Sequence, residues 1–351
     1  MDIFAEALEW LVYYCIKRGS VQSIRSWETY GRDAYDYFAF IEANNLDWRS
    51  INSRTENRLL AVYRDASMSQ FNVGATTINR RLGLIIKFYQ YACNRGWVST
   101  LPYELQDVIV RKPKQFLAHT DTSGGHKMRP DVMLKQSRTQ IKVLNGEQIA
   151  DLLKATRDKT LYLMVRLALS TGLRKEEILT FPFKYVINPA STSARSHIVV
   201  QLNPAEMNTK GSVPRSIHVP VSVMSALWNY VIHERYQLLA RQVTPTDRLF
   251  VARHGEAWSL TAKSFNNQLK RLNLPFHVNP HMLRHTYATH TLKSLRQKKG
   301  LGFEPLLYVR DRLGHTSITT TERYLHFLHE IEDDLINSYQ QEIDAICEEI
   351  I

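Results

Sequence analysis

The fold of this chain is decided by His281–Tyr324, which reads HMLRHTYATHTLKSLRQKKGLGFEPLLYVRDRLGHTSITTTERY. Pro280 comes directly before it and is typical of the first position of a helix, and the apolar spacing that follows predicts that helix. A second short helix is predicted over Leu306–Leu313, where Gly314 ends it, and a third over Thr319–Phe327. Four polar side chains on these helices, or at the turns between them, stand out for their chemistry: His281, Arg284, His315 and Tyr324.

Length, charge and cysteine usage bound what the chain can be. At 351 residues it is long enough for two domains that each bury a core. Lys and Arg total 45 against 34 Asp and Glu, and eight of the acidic residues lie in 330–351. The rest is therefore more basic than the net charge of +11, which favours nucleic acid over a membrane surface as partner. The three cysteines lie far apart, the first residues do not resemble a secretory signal, and no uncharged run could span a bilayer. We therefore expect a soluble, cytoplasmic protein.

Residues 1–110 are predicted to form an all-helical domain. Apolar residues recur at helical spacing over 3–16, 21–43 and 76–95, and glycines flank the last helix. That helix carries a basic face opposite its apolar one, so its polar side chains are candidates for contact with a phosphate backbone: Asn79, Arg80, Arg81 and Lys87. On this helix alone, a merely solvated face explains the pattern equally well.

Residues 111–143 are predicted to form a basic linker. They show little periodicity, prolines and glycines interrupt them, and eight of their side chains are Lys or Arg. The segment is either a disordered spacer or a tether that lies along a DNA backbone. We favour the tether, with three candidate contacts: Lys112, Lys114 and Arg129. Its length indicates a partly ordered insertion.

Residues 144–329 are predicted to form a second domain of helices and a small antiparallel sheet. Asn145 is a typical helix N-cap, and helices are also predicted over Leu161–Leu169, 221–241 and 259–272. The last of these adds two basic candidates for DNA contact, Lys263 and Arg271. Short alternating runs predict strands at Lys184–Ile187, His197–Leu202 and Arg215–Val219.

Three residues near the turns of this domain are further candidates for a site. Arg174 begins a helix after a glycine turn, where backbone N–H groups also favour an anion. Glu177 lies one turn later, where it can hold a neighbouring basic side chain. Lys210 lies at the predicted hairpin tip, where its ammonium can enter a DNA groove and donate a proton. Taken alone, Arg174 is more often an ordinary surface arginine. Glu177 is also typical of a plain first-turn carboxylate, and Lys210 of an edge charge that discourages aggregation.

The spacing of His281 and His285, four residues apart, is also that of a zinc pair. The glutamate of the usual zinc motif is absent, and no Asp, Glu or Cys follows closely, so we expect no metal site. His281 with Arg284 suits a phosphate better, and His285 and His290 are interpreted as structural.

Together these residue types suit attack on a phosphodiester. The pKa of a tyrosine hydroxyl is ordinarily about 10, so at neutral pH the group needs help to lose its proton. Two guanidiniums can hold a phosphate bidentately, and one arginine can contribute about 10³-fold or more to the rate. Histidines donate further hydrogen bonds, and a lysine can protonate the departing oxygen. No P-loop is visible, so we expect no cofactor and a phosphotyrosine bond that conserves the energy of the cut strand.

The chain resembles the tyrosine recombinases of the phage integrase family. Their motif Arg…Lys…His-x-x-Arg…His…Tyr is matched in order by Arg174, Lys210, His281, Arg284, His315 and Tyr324. Flanking residues are similar too: TGLRKEEIL at 171–179, LRHT at 283–286 and LGH at 313–315. The resemblance covers 144–330, and TINRRL at 77–82 extends it, less specifically, to the helical core-binding domain of the family.

The resemblance implies a core-binding domain and an α+β catalytic domain that close as a C-shaped clamp around double-stranded DNA. It implies a homotetramer on paired sites, and we expect a monomer or dimer when the protein is free. It also implies roles for the matched residues: Arg174 and Arg284 hold the scissile phosphate with help from His281 and His315, Lys210 is the general acid, Tyr324 is the nucleophile that forms a 3′-phosphotyrosine, and Glu177 supports the site. The long linker and the lack of an obvious N-terminal arm domain depart from the family pattern, and accessory proteins stay open.

Residues 330–351 predict an amphipathic helix with an acidic face, packed either on its own domain or on a neighbouring protomer. For the whole chain we expect a site-specific DNA recombinase or integrase of a mobile element. The alternatives are a type IB topoisomerase-like nicking-closing enzyme, an architectural DNA-binding protein without catalysis, and a metal-dependent nuclease.

Overall fold

The computed structural model divides into two compact units, residues 1–138 and 139–351. It describes residues 4–19, 21, 23–51, 58–109, 126–136, 141–193, 196–240, 246–258, 260, 263–298, 302–315, 317–318, 320–324 and 346–347. Within these residues both units are mainly helical, and each carries one two-stranded antiparallel sheet. The predicted fold class, mainly α with a small antiparallel sheet, is confirmed. Among the described residues no helix has the length and apolar character needed to cross a bilayer.

The described part of the first unit contains four α-helices around an aromatic core. The helices are α1 Ala5–Val12, extended by a π-helical turn at Tyr13–Lys17, then α2 Ile24–Ala43, α3 Leu59–Ser69 and α4 Ala75–Asn94. The Tyr37 and Tyr89 hydroxyls lie 2.7 Å apart in this core, and Tyr89 also donates to the carbonyl of Trp48. The rings therefore bury their apolar bodies while their hydroxyls stay hydrogen-bonded.

A β-hairpin in this unit corrects two predictions. Strand β1 (Leu105–Ile109) pairs in antiparallel register with β2 (His126–Pro130), so residues 1–110 are not all-helical. The residues after β2 also pack on the first unit: Val132 is buried, and Asp131 forms an ion pair with Arg58. Residues 126–136 of the predicted linker are therefore part of the first unit. Periodicity missed the hairpin because its two strands are far apart in sequence. Lys112 and Lys114 lie outside the described residues.

The second unit is organised around a helix that is buried on nearly all sides. Its helices are α5 Gly146–Ala155, α6 Lys159–Thr171, α7 Lys175–Leu179, α8 Val221–Asn229, α9 Tyr236–Leu239, α10 Lys263–Arg271, α11 Pro280–Gln297 and α12 Pro305–Leu313. Eleven of the thirteen residues of α6 are buried, and this helix packs against α11. The predicted N-cap Asn145 starts α5 in a capping box with Gln148.

The sheet of the second unit contains two of the three predicted strands. Strand β3 (His197–Leu202) pairs with β4 (Arg215–Pro220), and the segment between them ends in a 3₁₀ turn at Lys210–Ser212. The strand predicted at Lys184–Ile187 is wrong, because this segment forms a 3₁₀ turn over Phe183–Tyr185. An alternating pattern forms a strand only where a partner strand lies beside it.

The described part of the C-terminal tail packs on its own unit. Cys347 is 1% exposed and belongs to the main core of the second unit, and Ile346 packs against the same core.

Gly172 ends α6 in the left-handed conformation, with φ at 65°, and a Cβ there would lie 2.3 Å from a ring carbon of Tyr287 on α11. Replacing Gly172 by alanine is expected to lower the free energy of unfolding by at least about 2 kcal/mol, because strained backbone and overpacking add. Chemical denaturation followed by circular dichroism checks this. Gly302→Ala is the matched control, since a Cβ at Gly302 meets nothing within 4 Å. Equal stability of the two variants would contradict the expectation.

Candidate active site

The polar residues singled out in the second unit come from five separate segments. Arg174 is the N-cap of α7, Lys210 lies in the turn before β4, and α11 carries His281 and Arg284. His315 follows α12 directly, and Tyr324 lies in the helical residues 320–324. The contacts of the two arginines, His315 and Tyr324 bring these four side chains into one site.

Arg284 is a deeply buried, positively charged side chain at the bottom of this site. Its side chain is 2% exposed, and its two terminal nitrogens donate to the carbonyl oxygens of Gly172 and Leu313, each at 2.7 Å. Burial and the nearby charge of Arg174 lower the pKa of Arg284 to about 9, so the guanidinium stays charged at neutral pH. Both acceptors lie at the C-terminal ends of helices, α6 and α12, where the helix dipole favours a positive charge.

Arg174 is held by a carboxylate and by a third main-chain oxygen. Its Nη1 donates to Glu177 Oε1 at 3.0 Å, and its Nη2 donates to the Gly314 carbonyl at 3.2 Å. The backbone N–H of Arg174 donates to the other oxygen of Glu177 at 2.7 Å. This guanidinium is partly exposed, so it remains accessible while its orientation is fixed.

Glu177 is fully buried and is shared by two arginines. Besides Arg174 it binds Arg215 of β4, which donates to both carboxylate oxygens, at 2.9 and 2.5 Å. Burial by itself would raise the pKa of Glu177, but the hydrogen bonds and charges of Arg215 and Arg174 together lower it. Glu177 is therefore an ionised carboxylate that holds both guanidiniums.

Gly314 allows close approach of Arg215 to this network. Its φ is 62°, and a Cβ at this position would lie 2.9 Å from Cδ of Arg215. Arg215 also donates to the Arg312 carbonyl at 3.1 Å, so it connects β4 with the end of α12. Glycine is required here by both the left-handed backbone and the lack of space.

His315 lies beside the predicted nucleophile, Tyr324, and within reach of the charge of Arg284. Its Nδ1 is 2.9 Å from the hydroxyl of Thr321, which orients the ring. Burial and the charges of Arg284 and Arg174 lower the pKa of His315 to about 3, so the imidazole is neutral at neutral pH. A neutral ring with Nδ1 as acceptor carries its hydrogen on Nε2, where it can donate to a phosphate oxygen.

Tyr324 is buried beside these groups. Its side chain is 2% exposed, its ring stacks with that of His315 at a centroid distance of 6.3 Å, and its hydroxyl lies 2.9 Å from Nδ1 of His285. Burial raises the pKa of Tyr324, although Arg284, Arg323 and Arg174 act in the opposite direction. The hydroxyl is therefore protonated at neutral pH.

Lys210 and His281 lie at the open side of the site. Lys210 is exposed and lines a cleft of about 710 Å³ together with Arg174 and His315. His281 is exposed at the start of α11, and its ring lies against that of His285, with centroids 4.2 Å apart. Partial burial and the charges of Arg284, Arg323, Arg174 and Lys210 lower the pKa of His281.

The zinc-like spacing of His281 and His285 forms no ligand cluster in the part of the chain that the structure describes. There, no three His, Cys, Asp or Glu residues are arranged to hold a metal ion. His290, interpreted as structural, binds the Leu144 carbonyl at 2.9 Å through Nε2.

Three of the candidates for DNA contact in the first unit have partners within that unit. Asn79 is buried, and its amide makes two hydrogen bonds to the backbone of Leu134, so it is not available to DNA. Arg80 and Arg81 form ion pairs with Asp33 and Asp36 of α2.

Two of the remaining candidates for DNA contact have partners in the first unit, and the other two lie on α10 of the second unit. Lys87 donates to the Tyr14 hydroxyl at 2.8 Å, and Arg129 donates to the Leu134 carbonyl. Arg271 is exposed at the end of α10, whereas the side chain of Lys263 lies outside the described atoms.

Sequence reasoning missed three residues that contact the site: Arg215, His285 and Thr321. A signal existed for Arg215, which occupies the same face of β4 as the buried Ile217 and Val219. A charge on a buried face requires a buried partner of opposite sign. His285 shares a helix face with His281 at a spacing of four residues, which the sequence had assigned to structure.

Comparison with known proteins agrees with the motif. The model of the phage integrase family matches residues 142–330. Tyrosine recombinase XerC of Anoxybacillus flavithermus is 25% identical over 301 residues, 85% of each chain. Tyrosine recombinase XerD of Staphylococcus saprophyticus is 25% identical over 329 residues, 93% of this chain and 94% of its own. Transposase A from transposon Tn554 of Staphylococcus aureus is 24% identical over 271 residues, 75% of this chain and 70% of its own.

Solved structures share the fold. A lambda integrase dimer bound to a COC′ core site has a TM-score of 0.61 at 14% identity, covering 96% of this chain and 100% of its own. The Tn1549 transposon integrase in complex with circular intermediate DNA has a TM-score of 0.59 at 17% identity, covering 96% and 98%. Because the family match spans more than half of the chain and agrees with the curated relatives, the chain belongs to the phage integrase family and is a tyrosine recombinase.

Proposed function

We propose that this enzyme is a site-specific recombinase or integrase that cuts and rejoins DNA through a 3′-phosphotyrosine intermediate. The observation that carries the proposal is that the charges of Arg284 and Arg174, whose guanidiniums main-chain oxygens hold in place, act on the Tyr324 hydroxyl. Positioned charge of this kind is where phosphoryl transfer gains most.

In the proposed reaction, Arg174 and Arg284 hold the scissile phosphate, and His315 and His281 donate further hydrogen bonds to its oxygens. The Tyr324 oxygen forms a bond to phosphorus as the bond from phosphorus to the 5′ oxygen breaks. Lys210 gives a proton to that departing oxygen from the turn before β4. The covalent bond conserves the energy of the cut strand, so rejoining is the same step in reverse.

The biological setting is also a proposal. Transposase A from Tn554 and the Tn1549 transposon integrase are named for mobile elements, and their similarity supports a mobile-element role for this chain. Structures of similar fold contain DNA substrates, which supports double-stranded DNA as the partner. We propose that the two units close on the duplex as a clamp and that four protomers act on paired sites.

Replacing Tyr324 by phenylalanine is expected to abolish the covalent protein–DNA adduct, because phenylalanine has no hydroxyl to attack phosphorus. The measurement uses a nicked suicide substrate that carries the recombination site, so that the cut strand diffuses away and the adduct accumulates. Denaturing gel electrophoresis then resolves the wild-type adduct from free DNA. We expect the protein to be joined to the 3′ end of the cut strand.

The matched control is Tyr230→Phe, a buried tyrosine in the core of the second unit, which is expected to form the adduct normally. An adduct with Tyr324→Phe, or none with the wild type, would overturn the proposal. Two sites placed on one supercoiled plasmid separate recombination from nicking and closing. Exchanged products are expected, and relaxation without exchange would restrict the activity to that of a topoisomerase.

A further inference from the structure

The proton of the Tyr324 hydroxyl needs a destination when that oxygen attacks phosphorus. The hydroxyl is buried, and burial raises its pKa, so the group does not ionise unaided at neutral pH. Lys210 is assigned to the opposite end of the reaction, where it protonates the departing oxygen. The attacking oxygen therefore requires a separate acceptor.

Among the described residues, the hydroxyl has one hydrogen-bonding partner, Nδ1 of His285 at 2.9 Å. His285 follows Arg284 directly on α11, so the helix that positions the buried arginine also positions this ring. The distance lies within the range from which a positioned base takes a proton.

The other two histidines of the site are engaged differently. His315 uses its Nδ1 for the Thr321 hydroxyl, and its ring lies parallel to that of Tyr324. His281 lies one helical turn before His285, and its ring contacts the His285 ring at an interplanar angle of 66°. His285 is the histidine whose nitrogen is directed at the attacking oxygen.

The surroundings of His285 keep its ring neutral in the absence of DNA. The groups that face it are Arg284 and His281 of its own helix, Arg323 and Tyr324 of the helical residues 320–324, and His315 after α12. Burial and the charges of His281, Arg323 and Arg284 lower the pKa of His285 to about 3, so the ring is neutral at neutral pH. A bound phosphodiester brings a negative charge against the two arginines, which offsets their effect and makes His285 more basic when DNA is present.

We propose that His285 is a catalytic residue of this enzyme, the general base that takes the Tyr324 proton. The assignment rests on the proposed phosphotyrosine chemistry. As the bond from the Tyr324 oxygen to phosphorus forms, the hydroxyl proton moves to Nδ1 of His285. At the same time the bond to the 5′ oxygen breaks, and that oxygen takes a proton from Lys210. His285 ends as an imidazolium and Lys210 as an amine, and rejoining returns both protons.

The test is single-turnover cleavage of the suicide substrate by the full chain with two variants. His285→Ala removes the base, and we expect cleavage to slow about 10²-fold or more, the range that general bases contribute. Added imidazole is expected to restore part of the rate, with stronger bases restoring more. His285→Asn keeps an acceptor near the Nδ1 position, but an amide does not take the proton, so this variant is also expected to be slow.

A sulfur-substituted substrate separates the two ends of the reaction. When sulfur replaces the 5′ bridging oxygen, the leaving group needs no acid, so Lys210→Ala is expected to recover while His285→Ala stays slow. His290→Ala is the matched control, a buried histidine of the same helix that binds the Leu144 carbonyl. Any loss it shows comes from folding and does not respond to imidazole.

Three results would overturn the assignment: a wild-type rate for His285→Asn, no response of His285→Ala to imidazole while DNA binding is normal, or recovery of His285→Ala with the sulfur substrate. These outcomes are distinct from failure of the proposed function. That failure appears as a missing wild-type adduct or as an adduct formed by Tyr324→Phe, and neither depends on His285.

Discussion

Replacing Arg284 by lysine is expected to slow formation of the covalent adduct about 10³-fold, the contribution typical of an arginine that stabilises a transferring phosphoryl group. The lysine keeps one positive charge, but a single ammonium cannot bind the Gly172 and Leu313 carbonyls and a phosphate in the same planar arrangement. Single-turnover cleavage of the suicide substrate measures the rate, and electrophoretic mobility shift measures DNA binding separately.

The matched control for this variant is Arg235→Lys. Arg235 is also buried in the second unit and also donates to main-chain oxygens, those of Thr246, Arg248 and Leu249. It belongs to no part of the proposed machinery. Its lysine variant is expected to lose stability yet cleave at the wild-type rate below its melting temperature. Equal loss of rate in both variants would mean that Arg284 acts through folding alone.

Replacing Glu177 by glutamine is expected to lower the free energy of unfolding by about 3 kcal/mol, the cost typical of breaking a buried ion pair. Glutamine leaves the Arg215 guanidinium buried without a countercharge and places an amide donor where an oxygen accepted a hydrogen bond. Adduct formation is expected to slow as well, because Arg174 loses the carboxylate that orients it. Chemical denaturation of the two proteins measures the stability difference.

This difference should depend on pH with a defined sign. Because the folded state lowers the pKa of Glu177, its contribution is complete above the ordinary value of 4.5 and is lost as the pH falls through the folded pKa. The difference in free energy of unfolding between the wild type and Glu177→Gln should therefore become smaller as the pH falls. Glu234→Gln, which removes a surface ion pair with Lys159, is the control and should cost less than about 1 kcal/mol. A gap independent of pH would contradict the ionised state of Glu177.

The fold class and most helices could be predicted from the sequence because apolar periodicity is a local signal. The order of the motif residues also sufficed to name the candidate set before any geometry was known. The failures concern partners distant in sequence. On α4, Arg80 and Arg81 form ion pairs with Asp33 and Asp36 of another helix, and the spacing of residues along α4 could not predict these partners.

The contacts inside the site were also harder to predict, because the residues that form them are distant in sequence. Arg215 could have been found from its place on the buried face of β4, but its partner Glu177 lies 38 residues earlier. The contact of His285 with Tyr324 spans 39 residues and depends on how the helical residues 320–324 approach α11. The spacing of residues within one helix cannot predict how that helix packs against another.

The supports of the two guanidiniums are peptide oxygens, those of Gly172, Leu313 and Gly314. Every residue type has such an oxygen, so a comparison of residue identities between sequences does not reveal which main-chain oxygens hold the guanidiniums. The surrounding side chains can therefore be exchanged over evolution while the arginines keep their orientation, provided that two helices still end in left-handed turns. An engineer who wished to transplant this chemistry into another scaffold would have to copy two helix ends first, and the familiar side chains second.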